Sequence, residues 1–493
     1  MKSTYISLIF LICGLLGFVS QILYASYFGT SFEMGLYYSL LSIPSIITGL
    51  SGTLFNSVFI PDLADKEKSS QKSYIGSMYK NIRFLAVLLT TLIFVFLIIY
   101  THILTKNYSE LYLTGMLLSI LLSINLYFAL INGFMSSVLN YNHYYLTVAA
   151  SHLIVYLSNV FFVIIFGNLI GVVAIGIGLG GSAILQFFLF HRLFKQFISE
   201  ISIKQLSLFK SLFVKAIYIA CSLIPFTAFS SIAYFWASRT DYSSVSFLGY
   251  SHSFSGFLSI VASMGVATVT FPNIAQALRS FDKNRIDNTM KSFERTTTFV
   301  LQLIMIVCCF LTFNCSDFID IFLRRGNFDL ESVKGLGNIL PFYLFGGGII
   351  SILNLVRNIF YSDNSQKTLC YIGGVITIVF FLSSMLFNDG VSYITIGVVE
   401  NALLLTMLLV TLIILHKKYN IFGFVFYCRI LIQIIFFSLI AYFISTKLSF
   451  NNLNYLVAFM IRGLLYCLFV IFFLFYVMKD NELKKIVSRI KNK

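Results

Sequence analysis

Three charged side chains, Arg357, Glu400 and Arg462, fall inside long apolar stretches of this chain. Burying charge in hydrocarbon is costly, so each is a default candidate for handling an ion or a charged ligand. Arg357, four residues before Tyr361, has the reach either to contact a substrate phosphate or to snorkel toward a nearby surface. Glu400 is a candidate for proton coupling, and a purely structural ion pair with Arg462 is the competing account. His252 has the chemistry to bind a phosphate or a sugar, or to titrate near neutral pH. A packed, hydrogen-bonded histidine is its bland alternative, and the same alternative is stronger for His152. Arg239 and Asp241, at the end of an apolar span, are suited to an ionic gate or to a plain solvated turn. Gln21, Tyr24, Tyr37, Tyr38, Asn56 and Tyr250 would give a cavity the aromatic faces and hydrogen bonds that sugars need. Tyrosine also belongs to membrane interfaces, which is the competing reading of each.

None of these residues forms a catalytic or metal-ligating set. The eight cysteines include no Cys-x-x-Cys, and most lie in apolar spans, where core packing accounts for them. Gly178 to Gly181 and Gly346 to Gly348 lack the Lys-Ser/Thr that would make a phosphate loop, so they read as close-packing points in helices. The charged connection from Asn314 to Gly335 carries Asp317, Asp320, Arg324, Arg325, Asp329, Glu331 and Lys334, and reads as a surface turn or partial re-entry. A polymerase or glycosyltransferase would want its acids and arginines on a large outer loop, and this is the one outer connection with charge density. No resident cofactor is expected. With no ATP-binding domain, any work must draw on the membrane potential, an H+ or Na+ gradient, or removal of the product.

The elements that position these groups are membrane spans. The chain is 58% hydrophobic and 11% charged over 493 residues, with mean hydropathy +0.89. A soluble surface of that size needs far more charge. Apolar runs of roughly 20 residues recur from end to end, each long enough to cross a ~30 Å hydrocarbon core. They predict an all-α polytopic membrane protein with about 14 transmembrane helices. Among them are span two near 36–61, three near 84–104, seven near 213–237, eight near 243–272, nine near 297–313 and eleven near 369–387. The formal net charge of +15 is concentrated in alternate connections, which sets topology with both termini cytoplasmic and favours anionic lipid headgroups. It is not a nucleic-acid footprint.

One pattern occurs twice. Gly35 to Pro61 ends in Phe59-Ile60-Pro61 and is followed by Lys66, Lys68, Lys72, Lys80 and Arg83. Ser246 to Pro272 ends in Phe271-Pro272 and is followed by Arg279, Lys283, Arg285, Lys291 and Arg295. Each reads as an apolar span, a proline stop and a basic loop. The repetition predicts two pseudo-symmetric six-helix lobes, 1–194 and 213–420, joined by an amphipathic cytoplasmic linker at 195–212. Residues 421–493 add two further helices and a basic tail. Pro44, Pro225 and Pro341 supply kinks on which the lobes would flex.

These motifs together resemble the MviN/MurJ branch of the multidrug/oligosaccharidyl-lipid/polysaccharide exporter superfamily. The carriers are Leu16-Gly17-Phe18, Tyr27-Phe28-Gly29, Ile43-Pro44 and Phe59-Ile60-Pro61 in the first half. In the second half they are Val266 to Pro272, Phe322 to Asp329, and Phe360-Tyr361-Ser362 leading to Lys367-Thr368. The resemblance implies an alternating-access flippase of the bacterial inner membrane, not an enzyme, that moves an undecaprenyl-pyrophosphate-linked glycan outward. It also implies that the last two helices form a groove for the lipid tail. Association with other polysaccharide-assembly membrane proteins would fit such a role. Departures from the family pattern fall where lipid II flippases carry cavity charge: Ser20-Gln21 replaces an Arg-Asp pair, Ile43-Pro44 lacks its following arginine, and Tyr250-Ser251-His252-Ser253 replaces Tyr-x-Asp-Arg. Spans seven and eleven lack the acids of a sodium site. The departures favour an O-antigen or capsule repeat unit as cargo, with lipid II as the alternative and a small-cation multidrug antiporter as a further one.

Overall fold

The computed structural model describes residues 2–55, 59–64, 66–106, 108–198, 217–218, 221–222, 228–279, 282–363, 365–386, 391–448 and 454–474. All regular structure among them is helical. In chain order the helices are α1 (Lys2–Phe28), α2 (Phe32–Leu54), α3 (Ile60–Ala64), α4 (Lys68–Leu104), α5 (Tyr112–Tyr141), α6 (Tyr145–Ile170), α7 (Val173–Phe194) and α8 (228–237). There follow α9 (Tyr242–Arg279), α10 (Lys283–Phe313), α11 (Cys315–Phe322), α12 (Leu330–Ser362), α13 (Gln366–Ser384), α14 (Tyr393–Tyr419), α15 (Phe424–Lys447) and α16 (Tyr455–Phe472). Eleven of these, all but α2, α3, α8, α9 and α11, are long and apolar enough to cross a membrane. Adding α2, α8 and α9, which lie where spans two, seven and eight are expected, accounts for the 14 predicted spans. The protein is an all-helical, multi-pass membrane protein.

Apolar residues cover the helix exteriors, and small and polar side chains join large apolar ones where helices meet. Along α4, Phe84, Leu88, Leu92, Val95, Ile99 and Ile103 are exposed, while Thr101 is buried. Thr101 and Ser119 of α5 hydrogen-bond through their hydroxyls at 3.0 Å, and Gly115 provides the room for that approach. Asn132 of α5 donates to the Ala183 carbonyl at 2.8 Å and to Gln186 at 3.1 Å, locking α5 to α7. The Gly178 to Gly181 cluster sits within α7, where Asn159 of α6, chiefly through its side-chain Oδ1, fills the space a Cβ on Gly178 would need. Gly347 of α12 likewise lies against the backbone of Ser255.

Two expectations need correction. The basic segments after Pro61 and Pro272 are not loops. Lys68, Lys72, Lys80 and Arg83 lie on α4, and Lys283, Arg285, Lys291 and Arg295 lie on α10. At 37 residues α4 is about 55 Å long, well beyond the ~30 Å core, so its basic first half continues the helix out of the hydrocarbon. Lysine and arginine are good helix formers, and in α10 the Asp282 carboxylate caps the start by accepting from the N–H groups of Asn284 (3.0 Å) and Arg285 (3.4 Å). Nor do the two proline stops match. Pro61 lies in the first turn of the short α3, where its missing N–H costs nothing, whereas α9 stays helical through position 272 to Arg279.

The chain divides into two compact units. The first comprises Met1–Ser253, Arg325–Asp329 and Asn364–Leu403, and the second Phe254–Arg324, Leu330–Asp363 and Leu404–Lys493. In the second unit α10, α15 and α16 share a core that includes Met305, Cys309, Phe437, Ala441, Tyr466 and Val470. Of the predicted linker, Lys195–Phe197 forms a 3-10 turn, and positions 199–212 lie outside the described residues, as does Pro225. Pro44 and Pro341 stand inside α2 and α12.

Candidate functional site: a buried imidazole–carboxylate pair among tyrosines

Two residues singled out separately in the sequence meet within the first unit. His252 Nε2 of α9 lies 3.2 Å from Glu400 Oε1 of α14. The Glu400 side chain is 2% exposed and that of His252 21%, so the imidazole stands between the carboxylate and the outside. Tyr234 of α8 meets the His252 ring edge-on, with centroids 5.4 Å apart. Tyr38 of α2 lies 6.3 Å from Tyr234 and 5.7 Å from Tyr250, and Tyr37 lies beside Tyr38 at 5.3 Å. Tyr24, Tyr37, Tyr38, Tyr234 and Tyr250 are all buried. Tyr38 donates its hydroxyl hydrogen to Gln21 Oε1 at 3.1 Å, joining α2 to α1. Polar groups thus converge in a place where bulk solvent does not reach, the setting in which a hydrogen bond or a charge counts most.

Tyr250 and His252 are two apart on α9, so they face nearly opposite ways. Tyr250 is fully buried and its hydroxyl donates to the Gly29 carbonyl at 2.8 Å. That carbonyl belongs to the turn closing α1, where Gly29 takes a positive φ of 57° and its N–H caps the Ala25 carbonyl at 2.9 Å. A second clasp arrives from residues 325–329. The Asn327 N–H donates to the Ser26 carbonyl at 3.0 Å and its side-chain amide to the Tyr27 carbonyl at 2.5 Å. Carbonyls of a helix's last turn lack intrahelical partners, and Asn327 supplies them. Gly326 has a positive φ of 56° and packs so tightly on Ser26 that no side chain fits there. Phe328 is buried and meets Tyr250 edge-on at 5.7 Å. Alongside, Tyr242 at the start of α9 stacks on Phe32 at 3.6 Å, and its hydroxyl donates to the Leu104 carbonyl at 2.6 Å. Ser246 donates to the Ser31 carbonyl at 3.2 Å. The ends of α1, α2, α4 and α9 are sealed together by these contacts.

The remaining candidates fall elsewhere. Arg357 lies on α12 in the second unit, with its guanidinium 5.9 Å from the Tyr361 ring centroid. Arg462 donates to Asp317 of α11 at 2.6 Å and to the Leu448 carbonyl at 3.2 Å. The expected Glu400–Arg462 pair is therefore corrected: each has a different partner, because Arg462 reaches toward the half-exposed Asp317. The guanidinium of Arg239 lies over Phe235 (4.8 Å) and Trp236 (4.6 Å), while Asp241 accepts from the backbone N–H and hydroxyl of Ser243 in a local turn. His152 is exposed on α6 beside Phe10. Asn56 lies outside the described residues. The connection from Asn314 to Gly335 is mostly built structure: α11, the clasp, and then the first turns of α12. Among the described residues no cluster of His, Cys, Asp and Glu could hold a metal ion.

Of the positions where family cavity charge is replaced, Gln21 accepts from Tyr38 and His252 faces Glu400, while the serines bond locally. Ser20 donates to the Leu16 carbonyl at 2.9 Å, Ser45 to Ser42 at 2.6 Å, and Ser253 to Gly249 at 2.9 Å. Each serine hydroxyl is spent on its own helix. Sequence reasoning missed Tyr234, because span seven (213–237) holds no Asp or Glu and its basic residue, Lys215, stands at its start. It also missed the positioning role of Asn327, although the Arg325-Gly326-Asn327-Phe328 run stood out as a motif.

The described residues build a multi-pass helical membrane protein with a buried polar cluster between its helices, an arrangement suited to a transporter. The described fold is shared with solved transporters of the MOP superfamily. A structure described as lipid II flippase MurJ in an inward closed conformation superposes with TM-score 0.78 at 18% identity, covering 96% of this chain and 99% of that one. An inward-facing multidrug-resistance MATE transporter superposes with TM-score 0.61 at 12% identity, covering 85% and 100%. A probable lipid II flippase MurJ of Buchnera aphidicola subsp. Baizongia pistaciae is 23% identical over 383 residues, 74% of this chain and 73% of that protein. Residues 24–466 match the family described as lipid II flippase MurJ. The chain belongs to the MurJ family and is a flippase of MurJ type for a lipid-linked substrate.

Proposed function

We propose that this protein moves lipid II from the inner to the outer face of a bacterial inner membrane, with both termini cytoplasmic. The observation that supports lipid II over the O-antigen or capsule unit favoured by the sequence departures is the extent of the family match. It reaches from residue 24 to 466 and so takes in Ser45, His252 and Ser253, where expected charges are replaced, though not Ser20-Gln21. Arg357 is the side chain we assign to the pyrophosphate, because a guanidinium offers paired donors matched to phosphate oxygens. The step is transport, with no covalent chemistry. Lobes 1–194 and 213–420 would rock about the substrate path, and the clasp at Ser26, Tyr27 and Gly29 would hold the outer end shut. The last two helices, with their shared core against α10, would accommodate the polyprenyl tail.

A second reading, a dedicated surface-polysaccharide flippase, draws support from the self-bonded serines at positions 20, 45 and 253. One experiment separates the two. A bacterium depleted of its own lipid II flippase is given this protein, with membrane levels verified by immunoblot. Restored growth supports lipid II as cargo. Lysis despite correct insertion overturns it and points to another undecaprenyl-linked glycan.

A further inference from the structure

We propose that His252 and Glu400 form a proton-binding site whose occupancy is tied to the transport cycle, so that the coupling ion is a proton. Only the transport arm of the test below rests on the flippase reading; the site itself does not.

The geometry sets up two states. His252 Nε2 and Glu400 Oε1 stand 3.2 Å apart at ion-pair distance, so with one proton on either side chain the pair is neutral overall. Without that proton the pair carries one negative charge, and a lone buried carboxylate costs several kcal/mol in an apolar interior. Release of the proton therefore requires the surroundings to admit water or to rearrange. That requirement is what links protonation to conformation. Access is ordered as well. Glu400 is almost fully covered and His252 is partly exposed, so the imidazole is the more accessible of the two. Among the described residues the titratable neighbours packed around the pair are phenols, Tyr234 from α8 and, behind it, Tyr38 from α2. Phenols ordinarily titrate near 10, so near neutral pH they stay protonated and do not compete.

The location gives the pair leverage. Tyr250 lies two residues from His252 on α9 and holds the closing turn of α1 through Gly29. Tyr38 touches both Tyr234 and Tyr250 and bonds Gln21 of α1. A change of charge at His252 is thus one side chain away from the contacts that seal the helix ends. Sodium is the poorer fit, since hard cations are held by several oxygens and this pair offers one carboxylate beside a nitrogen.

The test uses the full-length protein reconstituted in liposomes on a solid-supported membrane. A pH jump from 8 to 6 without substrate should give a charge-displacement current in wild type. Glu400→Gln and His252→Gln should each lower it at least about tenfold, and the exchange H252E/E400H should restore part of it. If Glu400→Gln does not reconstitute, His252→Gln, at the more exposed position, carries the same reading. Undiminished current in either variant, or a current evoked by sodium at fixed pH, overturns the proposal. Flipping of fluorescent lipid II is then measured with and without a pH gradient. Flipping that ignores the gradient and both substitutions sinks proton coupling while leaving the flippase reading intact. A pair-dependent current without lipid II flipping leaves the proton site standing and sinks the cargo assignment.

Discussion

At the scale of residues, ionisable groups inside apolar spans were the right place to look, but their partners were not legible. Glu400 and His252 stand almost 150 positions apart, and nothing in spacing joins them. Arg462 was easier to misjudge, because a hydropathy pattern gives depth along a helix and not which neighbour a long side chain can reach. Tyr250 looked like a sugar platform and instead has its hydroxyl committed to the Gly29 carbonyl. Tyr250→Phe should therefore weaken the seal at α1 by about 1–2 kcal/mol, since the carbonyl loses its buried donor. The expected result is a lower unfolding temperature in detergent, with Tyr24→Phe as the comparison; an unchanged temperature would mean the bond adds nothing. Arg357 makes the opposite prediction. Arg357→Ala should leave thermal stability within about 1 kcal/mol while cutting lipid II binding at least about tenfold, and Arg357→Lys should recover only part, because an ammonium cannot match phosphate in two places. Microscale binding with short-chain lipid II in nanodiscs reads both.

Helix number and order could be read from the runs of apolar residues, whereas helix ends could not. Span three was expected from residue 84 and α4 begins at Lys68; span nine was expected from 297 and α10 begins at Lys283. In both cases hydropathy falls where the chain leaves hydrocarbon, but the backbone bonds of a helix do not depend on hydrocarbon, so the helix goes on. The opposite error occurs at residues 325–329, where charge density suggested a surface turn. Gly326 and Asn327 there dock on α1 because its last carbonyls need donors. If that clasp opens and closes during transport, its strength should set how often the end of α1 is free. Asn327→Ala is expected to raise modification of a cysteine placed at Ser26 by several-fold without loss of folded protein. A disulfide formed between S26C and N327C should stop transport, and reduction should restore it. Transport that proceeds in the cross-linked protein would show that the clasp is static.

Over the whole molecule, the repeat near Pro61 and Pro272 remains informative even though its two stops differ in structure. Each copy leads into a long helix with a basic first half, α4 and α10. Lysine and arginine stay on the cytoplasmic side because transfer across the bilayer during insertion is opposed for positive charge. If both helices start there, the number of spans between them must be even, which places the two copies in the same orientation. The five helices α5 to α9, with α4 itself, make six crossings from the start of α4 to the start of α10. That count is a strict consequence of α8 being a full span, the one element of which only residues 228–237 are described. Single cysteines at Lys68, Lys283 and Arg325 decide it. A membrane-impermeant maleimide applied to intact cells should label the Arg325 position and neither lysine position, and permeabilised cells should label all three. Labelling at Lys283 from outside would mean that one crossing is missing, that the halves are inverted relative to each other, and that a rocking mechanism built on parallel repeats is wrong.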